Sequence, residues 1–106
     1  MLFALNETAT RYRCAGVSGG KPVYTEEGEA FRCRTQPLAA QSNASTGQRS
    51  TGWVKLFAPA MEMYPGDRIV TGDGRALIAE EVKVRRALRG AHHLEIEARP
   101  EDAAWD

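Results

Sequence analysis

Short runs of alternating polar and apolar residues, separated by turn-forming residues, make up most of the chain. From Thr8 to Ala15, Arg11 and Arg13 alternate with Thr10, Tyr12 and Cys14. From Glu29 to Gln36, Phe31, Cys33 and Thr35 alternate with Arg32, Arg34 and Gln36. A period of two puts successive side chains on opposite faces of a half-buried strand. Trp53 to Ala58 repeats the pattern, with Trp53, Lys55 and Phe57 opposite Val54 and Leu56. So does His93 to Arg99, where Leu94 and Ile96 oppose Glu95 and Glu97. Arg68 to Thr71 and Arg75 to Arg86 flank Gly72-Asp73-Gly74, a turn sequence that suits a tight hairpin. The alternation of Val82 and Val84 with Lys83 and Arg85 assigns the second of these runs to a strand.

Punctuation between the runs is equally regular. Gly16 and Ser18-Gly19-Gly20 break the first strand, a short edge piece runs from Pro22 to Thr25, and Glu26-Glu27-Gly28 turns the chain again. Pro37, Pro59 and Pro100 close three strands, and Tyr64-Pro65-Gly66-Asp67 places Pro where its fixed φ suits a turn. Ala87 to Ala91 reads as a loop around Gly90, and the tail from residue 100 to 106 follows the last strand. The prediction is an all-β fold: a small antiparallel β-barrel of five to six short strands and no helix. A long polar loop, residues 38–52, lies between the second and third long strands. It is rich in Ala, Ser, Thr, Gln, Asn and Gly and carries almost no apolar bulk after Leu38. A loop of this length inside so small a chain is usually functional or disordered.

With 106 residues the chain is expected to form one domain, 1–106. Its composition, 42% hydrophobic and 26% charged, is ordinary for a soluble globular domain. No apolar run approaches a membrane span, and MLFALNETAT lacks the basic and long apolar regions of a signal peptide, so an intracellular origin is expected. Net charge is +0, which argues against an autonomous nucleic-acid-binding domain. The charge is nonetheless segregated. No acidic residue lies between Glu29 and Glu62, a span that holds Arg32, Arg34, Arg49 and Lys55. The C-terminal region carries Glu95, Glu97, Glu101, Asp102 and Asp106 against Arg99 alone. That pattern suits an assembly with one face toward something anionic.

Candidate chemistry is sparse. Cys14 and Cys33 fit no metal-ligand spacing and are expected to be buried, unbonded neighbours on adjacent strands. His92 and His93 point to opposite faces of a strand and so do not chelate one ion. No serine sits in a nucleophile-elbow sequence, Glu26-Glu27 and Glu80-Glu81 read as solvated pairs, and Ser18-Gly19-Gly20-Lys21 lacks phosphate-loop spacing. Neither an enzyme nor a cofactor nor a metal is expected.

Several short motifs occur in a characteristic order: Arg11-Tyr12 through Gly16, Gly20-Lys21-Pro22-Val23-Tyr24, Phe31-Arg32-Cys33-Arg34-Thr35-Gln36-Pro37, Val54-Lys55-Leu56-Phe57-Ala58-Pro59, Pro65-Gly66-Asp67-Arg68-Ile69, Asp73-Gly74-Arg75, and Arg89-Gly90-Ala91-His92-His93-Leu94-Glu95. Over residues 8 to 98 this order resembles the head-tail connector proteins of tailed bacteriophages, of the head-completion (stopper, minor capsid) type. The middle loop departs from that family, being Gly/Ser/Thr-heavy where relatives carry more charge.

The resemblance implies a virion protein of the neck, present in the host cytoplasm during assembly. It implies a homo-oligomeric ring of twelve, or six, copies, with portal and adaptor proteins above and tail-terminator or tail proteins below. Such a ring closes the DNA channel after packaging, contacts double-stranded DNA without reading sequence, and opens for ejection. By resemblance the channel and gating element is the middle loop, here Gln41, Ser42, Asn43, Ser45, Thr46, Gln48, Arg49 and Ser50. Arg49 would face DNA, the alternative being a pair with an acidic neighbour. The segregated charge makes Arg32, Arg34, Glu95, Glu97, Glu101 and Asp102 candidate inter-subunit residues. A tail-terminator ring and a generic SH3-like interaction module are the alternative readings.

Overall fold

A computed structural model describes residues 5–38, 52–86 and 92–101. These residues form eight strands: β1 (Glu7–Tyr12), β2 (Cys14–Ser18), β3 (Lys21–Tyr24), β4 (Glu29–Pro37), β5 (Val54–Pro59), β6 (Arg68–Thr71), β7 (Ala76–Arg86) and β8 (His92–Pro100). Six close into an antiparallel barrel in the order β1-β4-β5-β8-β7-β6, with β6 returning to β1; β2 and β3 form a separate two-stranded sheet. Among the described residues there is no helix, and so none long and apolar enough to cross a membrane.

The interior follows the alternation seen in β4, β5 and β8. Phe31 and Cys33, then Val54, Leu56 and Ala58, then Leu94, Ile96 and Ala98 all point inward, joined by Ala9, Ile69, Leu77 and Ala79. Cross-strand partners share a face, so Leu56 meets Ile96 and Ala58 meets Leu94 inside the barrel. A bulge between Ala79 and Glu81 shifts the β7–β8 register by one residue. Val82 therefore faces inward opposite Ile96, and the hairpin continues beyond the barrel to Arg86 and His92.

The strand directions give the barrel two distinct ends. β4 ends and β5 begins at one end, where Leu38 N–H donates to the Trp53 carbonyl at 3.0 Å; the β6–β7 turn and the end of β8 lie there too. At the other end β1 passes into the β2–β3 hairpin, and the β7–β8 hairpin projects. Here the segment from Ala60 to Asp67 crosses the barrel floor, since β5 and β6 stand three strands apart in the ring. Met63 is buried in the core and Met61 packs against it, closing this end.

A charged knot secures the crossing. Asp67 is 2% exposed. Its carboxylate accepts the Cys14 N–H at 3.1 Å and the Tyr64 N–H at 3.0 Å, and lies 3.9 Å from Arg11 Nε. Arg11, also buried, donates through Nη1 to the Glu62 carbonyl and sits 3.7 Å from Glu29. At the opposite end of β1, Glu7 accepts from both the backbone N–H and the hydroxyl of Thr35, at 3.0 and 2.8 Å. Glu7 thereby occupies the place of a ladder partner where β4 leaves β1 for β5.

Two expectations need correction. The run from Thr8 to Ala15 is not one strand. It breaks at Arg13, whose N–H bonds the Thr25 hydroxyl at 3.2 Å. Arg11 points inward with Ala9, while Thr10 and Tyr12 face out; the floor segment brings the Glu62 carbonyl to its Nη1 and the Asp67 carboxylate near its Nε, which itself makes no hydrogen bond among the described residues. The second correction follows from the first: Cys14 lies on β2, half-buried and paired opposite Tyr24, and does not neighbour Cys33 on β4. Both thiols are free, as expected.

Removing the Asp67 carboxylate orphans two N–H groups and leaves the buried Arg11 charge with only the exposed Glu29 carboxylate beside it. Asp67→Ala is expected to lower the unfolding free energy by about 3 kcal/mol or more. Asp67→Asn, which keeps one acceptor, is expected to cost less. Urea denaturation of the two variants beside wild type checks the order.

Burial, reinforced by the nearby Glu7 charge, pushes the Cys33 thiol up to about 11. In native protein near neutral pH, a thiolate-seeking reagent is expected to label Cys14 and spare Cys33, with both reacting after denaturation. Mass spectrometry of the labelled chain reads this directly.

Candidate interaction surfaces

The proposed gating residues Gln41, Ser42, Asn43, Ser45, Thr46, Gln48, Arg49 and Ser50 lie outside the described residues, as does Asp102. β4 and β5 are neighbours, and the Leu38–Trp53 hydrogen bond closes the base. Beside it, Gly52, Gly74, Arg75, Ala76, Leu77, Pro100 and Glu101 line an open hollow of about 470 Å³. Gly52 has φ +94, and a Cβ there would stand 3.0 Å from the Pro100 ring, so both backbone and space favour glycine at this corner.

Arg32 and Arg34 share the outer face of β4, as the alternation predicts. Arg32 donates twice to the Leu5 carbonyl, at 3.0 and 2.8 Å, tying down the chain before β1. Arg34 has no ion-pair or hydrogen-bond partner among the described residues. It sits opposite Phe57 on β5, which in turn sits opposite Glu95 on β8. One outer row thus brings together residues far apart in sequence. Phe57 lies on this outer face yet is buried, and the Lys55 ammonium stands 5.9 Å from its ring centre.

Glu95 on β8, and Glu101 just after it, have cationic partners within the same chain. Glu95 lies 3.5 Å from Lys55, 3.5 Å from Arg85 and 3.3 Å from His93. Burial tends to raise its pKa; the hydrogen bond from His93 and the charges of Lys55 and Arg85 outweigh that and hold the carboxyl below the ordinary range. Glu97 faces Lys55 on one side and Glu81 on the other. Glu101 takes a two-pronged contact from Arg68, at 2.8 and 3.2 Å. Sequence reasoning named the acids but missed Lys55, Arg85 and His93 as the partners of Glu95. Strand parity puts all of them on outer faces, but only the register brings them together.

Among the described residues no three metal-ligating side chains converge. No protein-family model matches the chain, and no curated protein is significantly similar to it.

The lowered carboxyl of Glu95 sets a pH dependence. Its contribution to stability is fully present above the ordinary glutamate value of 4.5 and is lost as pH falls through the lower folded value. Glu95→Gln is expected to be less stable than wild type at neutral pH and to lose less stability on acidification between about pH 5 and pH 3. Chemical denaturation along a pH series measures both.

Proposed function

We propose that the chain is a structural protein of a tailed-bacteriophage neck. It would form a ring beneath the portal and adaptor, close the DNA channel after packaging, and offer a surface to the tail. The ordered motifs over residues 8 to 98 and the closed small barrel support this reading. The observation that carries it is the layout of the two barrel ends. β4 ends and β5 begins side by side at one end, so the polar residues between them leave and return at a single point. The opposite end is closed by the methionine floor and bears the two hairpins. In a ring, one loop per copy recurs around the axis, and many loops jointly close a channel that one could not reach across. Ser, Thr, Gln and Asn side chains can bond across copies when closed and meet water when open, so opening costs far less than unfolding a core.

Arg49 is the cationic side chain within residues 41–50. Repeated by symmetry it would form a collar that attracts phosphate without reading bases. Weak attraction per copy suits a channel that must later release its DNA.

Deleting Ser42 through Arg49 removes residues that none of the described strands contain. The shortened chain is expected to keep the barrel's circular-dichroism spectrum, while virions assembled with it lose packaged genome. Full-length DNA retained in such particles, together with normal tail attachment, would remove the gating role from this loop.

A further inference from the structure

The two hairpins at the floor end are rooted on opposite sides of the barrel. β1 and β4, which flank the β2–β3 hairpin, stand three strands around the ring from β8 and β7 respectively. All four large apolar side chains that are exposed among the described residues sit on elements leaving this end: Val17 and Val23 on the β2–β3 hairpin, Tyr64 on the floor segment, and Val84 on β7. A two-stranded hairpin standing in water has little to stabilise it. Here nearly every residue of β2 and β3 is exposed.

The two sides carry opposite charge in matching order. On one, Val23 is followed by the exposed Glu26 and Glu27; on the other, Val84 is followed by the exposed Arg85 and Arg86. Glu26, Glu27 and Arg86 have no side-chain partner among the described residues, and Arg85 is half exposed beside Glu95. On the edge facing away from β8, β7 pairs with β6 only from Ala76 to Ile78, and the Ala79 backbone bonds Asp67 and Gly66. From Glu80 to Arg86 that edge has no strand partner among the described residues. Unpaired strand edge, exposed apolar residue and unneutralised charge coincide, which is the signature of a surface made to be covered.

We infer that copies of this chain join head to tail at the floor end, the Val23–Glu26–Glu27 side of one against the Val84–Arg85–Arg86 side of the next. The occupant of each face is a second copy because each face finds its complement in charge and apolar content on the far side of the same molecule, where it cannot reach itself. Such a contact is heterologous and repeats around an axis, or along a filament if it does not close. The inference deepens the ring reading by naming the faces through which copies meet, and it rests on that reading only in requiring self-association. It also differs from the charge pairing expected of the acidic C-terminal region, where Glu95 and Glu101 have cationic partners within their own chain.

Charge exchange tests it. Sedimentation equilibrium of the full chain at low ionic strength, over the micromolar to millimolar range, is expected to show self-association that weakens with salt. Glu26→Lys with Glu27→Lys, and separately Arg85→Glu with Arg86→Glu, are each expected to weaken it at least about tenfold, because each face then meets its own sign. Glu26, Glu27 and Arg86 are exposed and have no side-chain partner among the described residues, so their exchange should leave the melting curve close to wild type. Arg85→Glu also confronts Glu95, so Arg86→Glu alone is run beside the double variant and is expected to weaken association without lowering the melting temperature. An equimolar mixture of the two double variants is expected to recover association, since every contact in an alternating assembly is again complementary. A monomeric wild type, unaltered association by either variant alone, or a mixture no stronger than its components would each overturn the inference. Genome retention plays no part in this measurement, so failure of the gating role and failure of this contact are read separately.

Discussion

A buried carboxylate holds the floor of the barrel in place, and the rest of the fold is arranged around it. Asp67 is 2% exposed, and its side chain accepts from two backbone N–H groups in different parts of the chain. Taking a carboxylate out of water is costly unless its lone pairs are met, and the same holds for the Arg11 guanidinium beside it. Both groups are accommodated only if the floor segment crosses the barrel in one register. Arg11 then reaches the Glu62 carbonyl, Met63 drops into the core, and β6 begins where it can pair with β1 and β7. The Pro-Gly-Asp turn is thus where the chain changes sides of the barrel.

The same constraint separates barrel from hairpin. Because Asp67 takes the Cys14 N–H, the chain after Tyr12 is diverted from the barrel wall into β2. Gly19 and Gly20, with φ +60 and +81, close that hairpin in a tight turn that side chains other than glycine seldom allow. Across the ring, the bulge between Ala79 and Glu81 turns β7 so that its second half runs past the barrel with β8. One end of the molecule is therefore occupied by two projecting hairpins, and the other by the paired bases of β4 and β5.

Charge is handled differently on the wall. Glu95 gathers Lys55, Arg85 and His93 from three strands, and Glu101 takes Arg68. These networks brace the outer face of the sheet within a single copy. Glu26, Glu27, Arg34 and Arg86, which have no side-chain partner among the described residues, lie on outward faces or turns away from those networks.

By itself the sequence determined the all-β class, the turns, and the two faces of β4 and β8. Each of these is a local property: alternation in steps of two, and Gly, Pro or Asp where the backbone must bend. Thus Phe31 and Cys33, and Leu94 and Ile96, are readable as core from their neighbours alone, whereas β5 carries large apolar residues on both faces and only the barrel shows that Leu56 points inward. Tertiary structure alone decided the break at Arg13, the inward turn of Arg11, the separation of Cys14 from Cys33, and the partners of Glu95. In each case the deciding contact spans distant segments, as Asp67 reaches Cys14 across 53 positions. A charged residue in an alternating run is read as outward until something far along the chain supplies its acceptor, and only the folded barrel brings that acceptor near.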